Sequence, residues 1–144
     1  MDTISDITAL TREDLVSQFH IATNDAVDIP RNKWTTTLLN HRVRLIREEF
    51  HELMEELETA ATLDTLPSRN AAERILKELA DVQYVISGTA VSLGLDLELG
   101  FQRVHESNMS KIDPLSKRVA RDGRGKVLKG PHYQPPNLKD LIYA

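Results

Sequence analysis

Two short acidic runs carry the residue types and spacing best suited to chemistry in this chain: EEFHE at residues 48–52 and ELAD at 78–81. In each, two carboxylates stand three residues apart, Glu49 with Glu52 and Glu78 with Asp81. On a helix that spacing puts both side chains on one face, one turn apart. Like charges so placed repel by about 0.2–0.5 kcal/mol per pair, so helix stability alone gives no reason for them. Either the acids form a solvated face, or a positive ion offsets their repulsion. Oxygen-only donors suit a hard divalent cation, and magnesium is held by a few carboxylates together with water and substrate phosphates. Asp and Glu make up 22 of the 144 residues, so chance also produces such pairs and the spacing leaves the choice open.

Convergence of the two pairs depends on the elements that carry them. From about residue 37 to 61 the apolar positions Leu39, Val43, Ile46, Phe50, Leu53, Leu57 and Ala60 alternate spacings of four and three, the pattern of a long amphipathic helix. At about 100° per residue, Glu49, Glu52 and Glu56 fall along one border of that stripe. Glu48, Glu55 and Glu58 lie further round. A second long helix begins after Pro67 and Ser68, with Asn70 and Glu73 as its expected capping box and Gly94 as its stop. Its core positions are Ile75, Leu79, Val82 and Ile86, and Glu78 and Asp81 again line one border. Antiparallel packing through the two stripes would gather four carboxylates at the edge of a bundle, where they cannot all stay ionised without compensation.

The flanking sequence completes an all-α expectation. Thr11 with Asp14 is a capping box for a short first helix that fades before Ile29-Pro30, and DAVDIPRNKW reads as a loop. Asp96 caps a fourth, shorter helix through DLELGFQRVHESNMSK, which Pro114 ends. The remainder is basic, rich in Gly and Pro, and loop-like. The expected architecture is a helical bundle of two long and two shorter helices with an extended basic C-terminal tail. It forms one domain over 1–144, helical at about 11–113 and loop-like at about 114–144. Sparse aromatics, 5% of residues, agree with aliphatic helix packing. Cysteine is absent, which excludes disulfides, thiolate zinc sites and a cysteine nucleophile. The first residues show no secretory pattern and no run approaches eighteen apolar residues, so the expectation is a cytoplasmic protein without membrane insertion. A net charge of −4 argues against a nucleic-acid duplex as partner.

EEFHE, with ELAD 25 intervening residues later, resembles the EExxE and ExxD motifs of the MazG-like, or phosphoribosyl-ATP pyrophosphohydrolase-like, all-α nucleotide pyrophosphohydrolases. The segment ADVQYVISGTAVSLGLDLELGFQRVHESNMSKID is similar to the stretch after ExxD in one bacterial and phage branch, and GKVLKGPHYQPPNL resembles the tail of that branch. The resemblance implies hydrolysis of the α,β-phosphoanhydride of a nucleoside triphosphate, giving the monophosphate and pyrophosphate. It implies Mg2+, with Mn2+ as a substitute, held by Glu49, Glu52, Glu78 and Asp81. It makes Glu48 a further ligand or the group that orients and deprotonates water, and the outward position of Glu48 on the helix favours the water-facing role. It also implies homodimers or higher homo-oligomers.

Substrate contacts are expected from two places. Asn108 and Lys111, on the last helix, and Lys126 and Lys129, in GKVLKG, would supply donors and positive charge to phosphates; Arg124-Gly125 interrupts the DGK run of related tails. The early FHIATND segment stands where this superfamily builds part of its nucleoside pocket, which nominates Phe19, His20 and Asn24. Glu48 and His51 have the E-x-x-H spacing of di-iron bundles, but the second long helix offers no histidine to complete one. Trp34 is expected to pack rather than stack on a base. A pyrimidine deoxynucleotide such as dUTP or dCTP is the favoured substrate. Phosphoribosyl-ATP and a non-enzymatic helical interaction module are the alternatives.

Overall fold

The structure, a computed structural model, describes residues 9–142. Among them are four α-helices, two short 3-10 turns and no β-strand, as an all-α architecture requires. The chain folds as two compact units, Met1–Leu95 and Asp96–Ala144.

The first unit holds α1 (Arg12–Ala22), α2 (Thr36–Ala61) and α3 (Arg69–Leu93). The capping box of α1 forms as expected: Thr11 Oγ1 accepts the Asp14 N–H at 3.1 Å, and the Asp14 carboxylate accepts the Thr11 N–H at 2.8 Å. The expected box at Asn70 and Glu73 does not form. Ser68 caps α3 instead, accepting the Ala71 N–H at 3.1 Å, because its hydroxyl stands just outside the first turn while Asn70 is already inside the helix. Gly94 ends α3 at φ +64°, the left-handed conformation that glycine adopts without strain. The α1–α2 connection is a loop with one 3-10 turn, Arg31–Lys33, and the Trp34 indole N–H donates to the Ile29 carbonyl at 2.8 Å. That tryptophan packs.

α2 and α3 run antiparallel, since Arg42 meets Val85 and Thr89, whereas Glu56 meets Arg74. The seam between them differs from the expected stripes. Along α2 the covered positions include Leu38, Arg42, Leu45, Glu49, Leu53, Glu56 and Ala60, with Ile46 and Met54 half-buried beside them; along α3 they include Ala71, Ile75, Glu78, Val82, Val85, Thr89 and Ser92. Spacings of four and three alternate through the named α3 positions, and through the α2 positions except for two fours in succession at Leu45, Glu49 and Leu53. Leu39, Val43, Phe50 and Leu57 on α2, and Leu79 and Ile86 on α3, are exposed instead, Phe50 by 53%. The most apolar face was the natural expectation. The face actually covered is mixed, and two features account for it: Arg42 and Glu56 find partners across it, and most buried positions of α3 are small, among them Ala71, Ser87, Gly88, Ala90 and Ser92.

Arg42 shows the first feature. Only 3% exposed, its guanidinium donates through Nε to Thr89 Oγ1 at 3.1 Å and through Nη2 to the Val85 carbonyl at 3.0 Å, while Nη1 lies 3.8 Å from the Asp25 carboxylate. Burial pulls its pKa below the ordinary guanidinium value and Asp25 acts in the opposite sense. Gly88 makes room for it: a β-carbon there would come within 2.5 Å of Arg42 Nη2 and 3.0 Å of His20 Nε2. The loop after α1 is tied to the end of α3 through Asp28 N–H to the Val91 carbonyl, Ile29 N–H to the Ser92 carbonyl, and Ser92 Oγ to the Ala26 carbonyl. Axial register of α2 against α3 is therefore fixed by directional bonds as well as by packing.

The second unit holds α4 (Leu97–Met109) and the tail. Asp96 caps α4 by accepting the Leu99 N–H at 3.0 Å, as expected. The helix ends at Met109 rather than reaching toward Pro114, so Asn108 lies in its last turn and Lys111 beyond it. Ser107 Oγ donates to the Gln134 carbonyl and Arg103 pairs with Asp140, which pins the tail to α4. Between them a short excursion is closed by an Arg121–Val127 antiparallel bridge, with Gly125 at φ +83° in its turn. Gly123 and Arg124 form the tip of that turn, which the Gly125 N–H closes by donating to the Asp122 carbonyl.

Candidate active site

Opposed positions of the α2–α3 seam bring Glu49, Glu52 and Glu78 together. Each offers a carboxylate oxygen, and the three oxygens lie within 4.8 Å of one another. Glu78 is buried, Glu49 half-buried and Glu52 exposed, so the group opens to solvent on one side. Glu49 Oε2 and Glu78 Oε2 are both buried without a hydrogen-bond partner. Leaving a buried charged oxygen unsatisfied costs more than leaving a neutral group so, on the order of 1–3 kcal/mol or more. Burial, followed by the charges of Glu52, Asp81 and Glu78, raises the Glu49 pKa, against an opposing effect of Lys77. Residues in this condition fit a hard divalent cation: the donors are all oxygen, three carboxylates share the group, and two of their oxygens are buried without a hydrogen-bond donor.

Asp81, the fourth expected acid, stands outside this group. Lys77 Nζ lies 2.7 Å from Asp81 Oδ2 and 3.3 Å from Glu78 Oε1. Those two hydrogen bonds raise the Lys77 pKa. Lys77 escaped the sequence reading although its signal was present, as the cation four residues before Asp81.

Residues 16–108 of the chain, which include both acidic runs, match the phosphoribosyl-ATP pyrophosphohydrolase family. The chain belongs to that family. It is a pyrophosphohydrolase of the MazG-like all-α superfamily, whose members typically depend on a divalent metal. No curated protein matches the chain. Residues 109–144, including the basic tail, lie outside the matched region.

Within this pyrophosphohydrolase fold the remaining acids of α2 separate by partner. Glu48 is exposed, beside the cluster in sequence. Glu55 pairs with His51 at 3.1 Å on the solvent side. Glu56 shares the seam but is matched by Arg74 at 3.2 Å. The residues nominated for the nucleoside divide likewise. Phe19 is exposed, with its ring edge-on to Tyr84 at 5.8 Å between centroids. His20 is 3% exposed, and its Nδ1 lies 2.9 Å from the Ala26 carbonyl. Asn24 is exposed at φ +58°, just past the end of α1.

In the second unit, Asn108 and Lys111 line a cavity of about 560 Å³. Lys126 and Lys129 are not among its lining residues. The Lys126 N–H is bound by Asp122, and Lys129 Nζ sits over the Tyr133 ring at 4.9 Å. Among the described residues no helix is long and apolar enough to cross a membrane.

Proposed function

We propose that this protein is a magnesium-dependent nucleoside triphosphate pyrophosphohydrolase. It cleaves the α,β-phosphoanhydride of a (d)NTP to the (d)NMP and pyrophosphate, with a pyrimidine deoxynucleotide such as dUTP or dCTP favoured and nucleotide-pool housekeeping in the cytoplasm as its role. The observation that carries the proposal is the three-carboxylate group with two buried, unpartnered oxygens in a chain of a pyrophosphohydrolase family. Glu49, Glu52 and Glu78 would hold Mg2+, or Mn2+ in its place, with Asp81 alongside. When bound, the ion would neutralise charge on phosphate oxygens and acidify a coordinated water.

The chain's own residues do the rest. In the hydrolysis, a water oxygen forms a bond to phosphorus as the bond to the bridging oxygen breaks, and the water's proton goes to a carboxylate. Glu48, exposed and next to the cluster, is the proposed acceptor and orienting group. Asn108 and Lys111 would supply donors to the phosphates, with Lys126 and Lys129 available from the tail. Phe19, with His20 and Asn24 shaping the loop behind it, would meet the base.

The apolar faces that the α2–α3 seam leaves open support a homodimer or higher homo-oligomer. Phe50, Leu57 and Val43 are exposed on α2, and a groove between α1 and α3 is lined by Leu15, Leu76, Leu79 and Tyr84; exposed apolar faces of this kind mark contact surfaces. Sedimentation at a single 16 kDa species would refute this.

The matching family is named for phosphoribosyl-ATP, which favours the same bond cleavage on that substrate as a second reading. Pyrophosphate release from dUTP, dCTP, the other nucleotides and phosphoribosyl-ATP, with and without magnesium, distinguishes the two. The proposal expects metal-dependent release that is fastest with a pyrimidine deoxynucleotide, and a loss of at least about 100-fold in Glu49→Gln, more than altering a mere neighbour of a ligand costs. Fastest release from phosphoribosyl-ATP would establish the second reading, and no cleavage of any substrate would overturn both.

A further inference from the structure

The three-carboxylate group cannot set its own geometry. Carboxylates this close repel one another. Lys77, the cation beside them, sits on α3 and pairs with Glu78 and Asp81 of that same helix, so it ties nothing to α2. Apolar packing is non-directional, and the buried positions of α3 are mostly small, Ala71, Gly88 and Ala90 among them. A slide of α2 by one turn, about 5.4 Å, would carry Glu49 past Glu78, and neither the acids nor the small residues oppose it strongly.

Arg42 supplies the missing constraint. It stands seven residues before Glu49 on α2, and Val85, whose carbonyl accepts from its Nη2, stands seven residues after Glu78 on α3. Because the helices run antiparallel, these equal offsets, two turns or about 10 Å, make the Arg42 bonds and the Glu49–Glu78 approach features of one register. The guanidinium is buried and also donates to Thr89, so α2 cannot slide without breaking both bonds inside the fold. Gly88 walls the slot, since a β-carbon there would come within 2.5 Å of Arg42 Nη2. On the other side of the acids the seam is crossed by Arg74 and Glu56, but Arg74 is 55% exposed and a pair so open to water holds weakly. Fixing register is the best-attested use of a polar group buried in a helix seam.

We propose that Arg42 is a positioning residue for the metal-binding carboxylates: with Gly88 it fixes the axial register in which Glu49 and Glu52 of α2 meet Glu78 of α3, and so sets the affinity of that group for a divalent cation from two turns away. The inference rests on the divalent-cation reading of the group, and adds to it a residue that neither acidic run contains.

The test is Mn2+ binding to the full-length protein at neutral pH, read by the ion's electron paramagnetic resonance, with helicity followed by circular dichroism. Arg42→Met keeps a long, helix-favouring side chain in the slot but no directional bond, and should weaken Mn2+ binding about tenfold with helicity kept. Arg42→Lys, which can still donate to the Val85 carbonyl, should recover part of that loss. Gly88→Ala, whose β-carbon displaces the guanidinium, should weaken binding about as much as Arg42→Met. Ser68→Ala, which removes the cap of α3, should lower the melting temperature yet leave Mn2+ affinity within about twofold, because it is distant from the seam contacts of Arg42. Unchanged affinity in Arg42→Met, or an equal loss in Ser68→Ala, would overturn the proposal. If Arg42→Met loses its helicity, Gly88→Ala and Ser68→Ala decide the matter, and equal affinity in those two overturns it. Glu49→Gln separates the two claims: wild type that binds Mn2+ and loses it in Glu49→Gln keeps the cation reading whatever Arg42→Met does, whereas wild type that binds none overturns both.

Discussion

The two units place their charges by opposite means. In the first, acids are set into a helix–helix seam: Glu78 is buried, Glu49 half-buried, and two carboxylate oxygens are left with no partner. Register there is held by a buried guanidinium that only a glycine leaves room for. In the second, the cations stay at the surface of a loop, and the carboxylates of Asp113 and Asp122 are occupied in shaping its backbone. The seam gives rigid placement and leaves two carboxylate oxygens without a donor. The loop gives reach, and leaves its cations unpaired without burying them.

The contrast breaks most visibly at Arg42. Replacing Arg42 with alanine strands Thr89, the Val85 carbonyl and Asp25, and should cost about 3 kcal/mol of stability in chemical denaturation, as removing one partner of a buried charged network does. Gly88→Ala should cost about 1–3 kcal/mol, because its β-carbon meets Arg42 and His20, both held in place. A change under about 0.5 kcal/mol in both would show that the seam does not depend on this bond set.

A smaller effect sharpens the electrostatic half of the comparison. The folded-state pKa of Glu49 is raised above its ordinary 4.5, so between these values the native chain keeps a proton that the unfolded chain has lost. Stability of the metal-free protein should therefore fall as pH rises through that window and stay reduced at neutral pH. Glu49→Gln should remove this slope and raise the metal-free melting temperature at pH 7. Asp14, Asp113 and Asp140, whose pKa values are lowered, lose their contributions only at more acid pH and leave the window clear. An unchanged or reduced melting temperature in Glu49→Gln would contradict the repulsion.

The smallest effect belongs to the loop. Lys129→Ala removes one exposed cation–π contact with Tyr133 and should cost no more than about 0.5 kcal/mol in thermal denaturation. A large loss would mean that the loop has a packed core, which its exposure denies.

Much of this was legible in the sequence because it is local. The Thr11 cap, the Asp96 cap, the Gly94 stop and the helical periods are set within a few residues, and the acidic runs with their flanking segments carry the family. The seam was not legible. A helical wheel ranks faces by apolarity and so selects Leu39, Val43, Phe50 and Leu57, whereas the face that meets α3 contains Glu49 together with Arg42 and Glu56, whose partners lie on other elements. The cap of α3 was misplaced for a related reason, since Ser68 and Asn70 are both good caps and only the start of the helix decides between them.

The central claim is that Glu49, Glu52 and Glu78, two of them with a buried oxygen left unpartnered, are assembled to hold a divalent cation. Its most direct measurement is Mn2+ binding at neutral pH, followed by the ion's electron paramagnetic resonance, to wild type, Glu49→Gln and Glu78→Gln, with helicity checked by circular dichroism. Saturable binding to wild type, weakened at least about tenfold in each variant while helicity is kept, is the predicted result. Equal affinity in all three proteins, or no saturable binding to wild type, would contradict it.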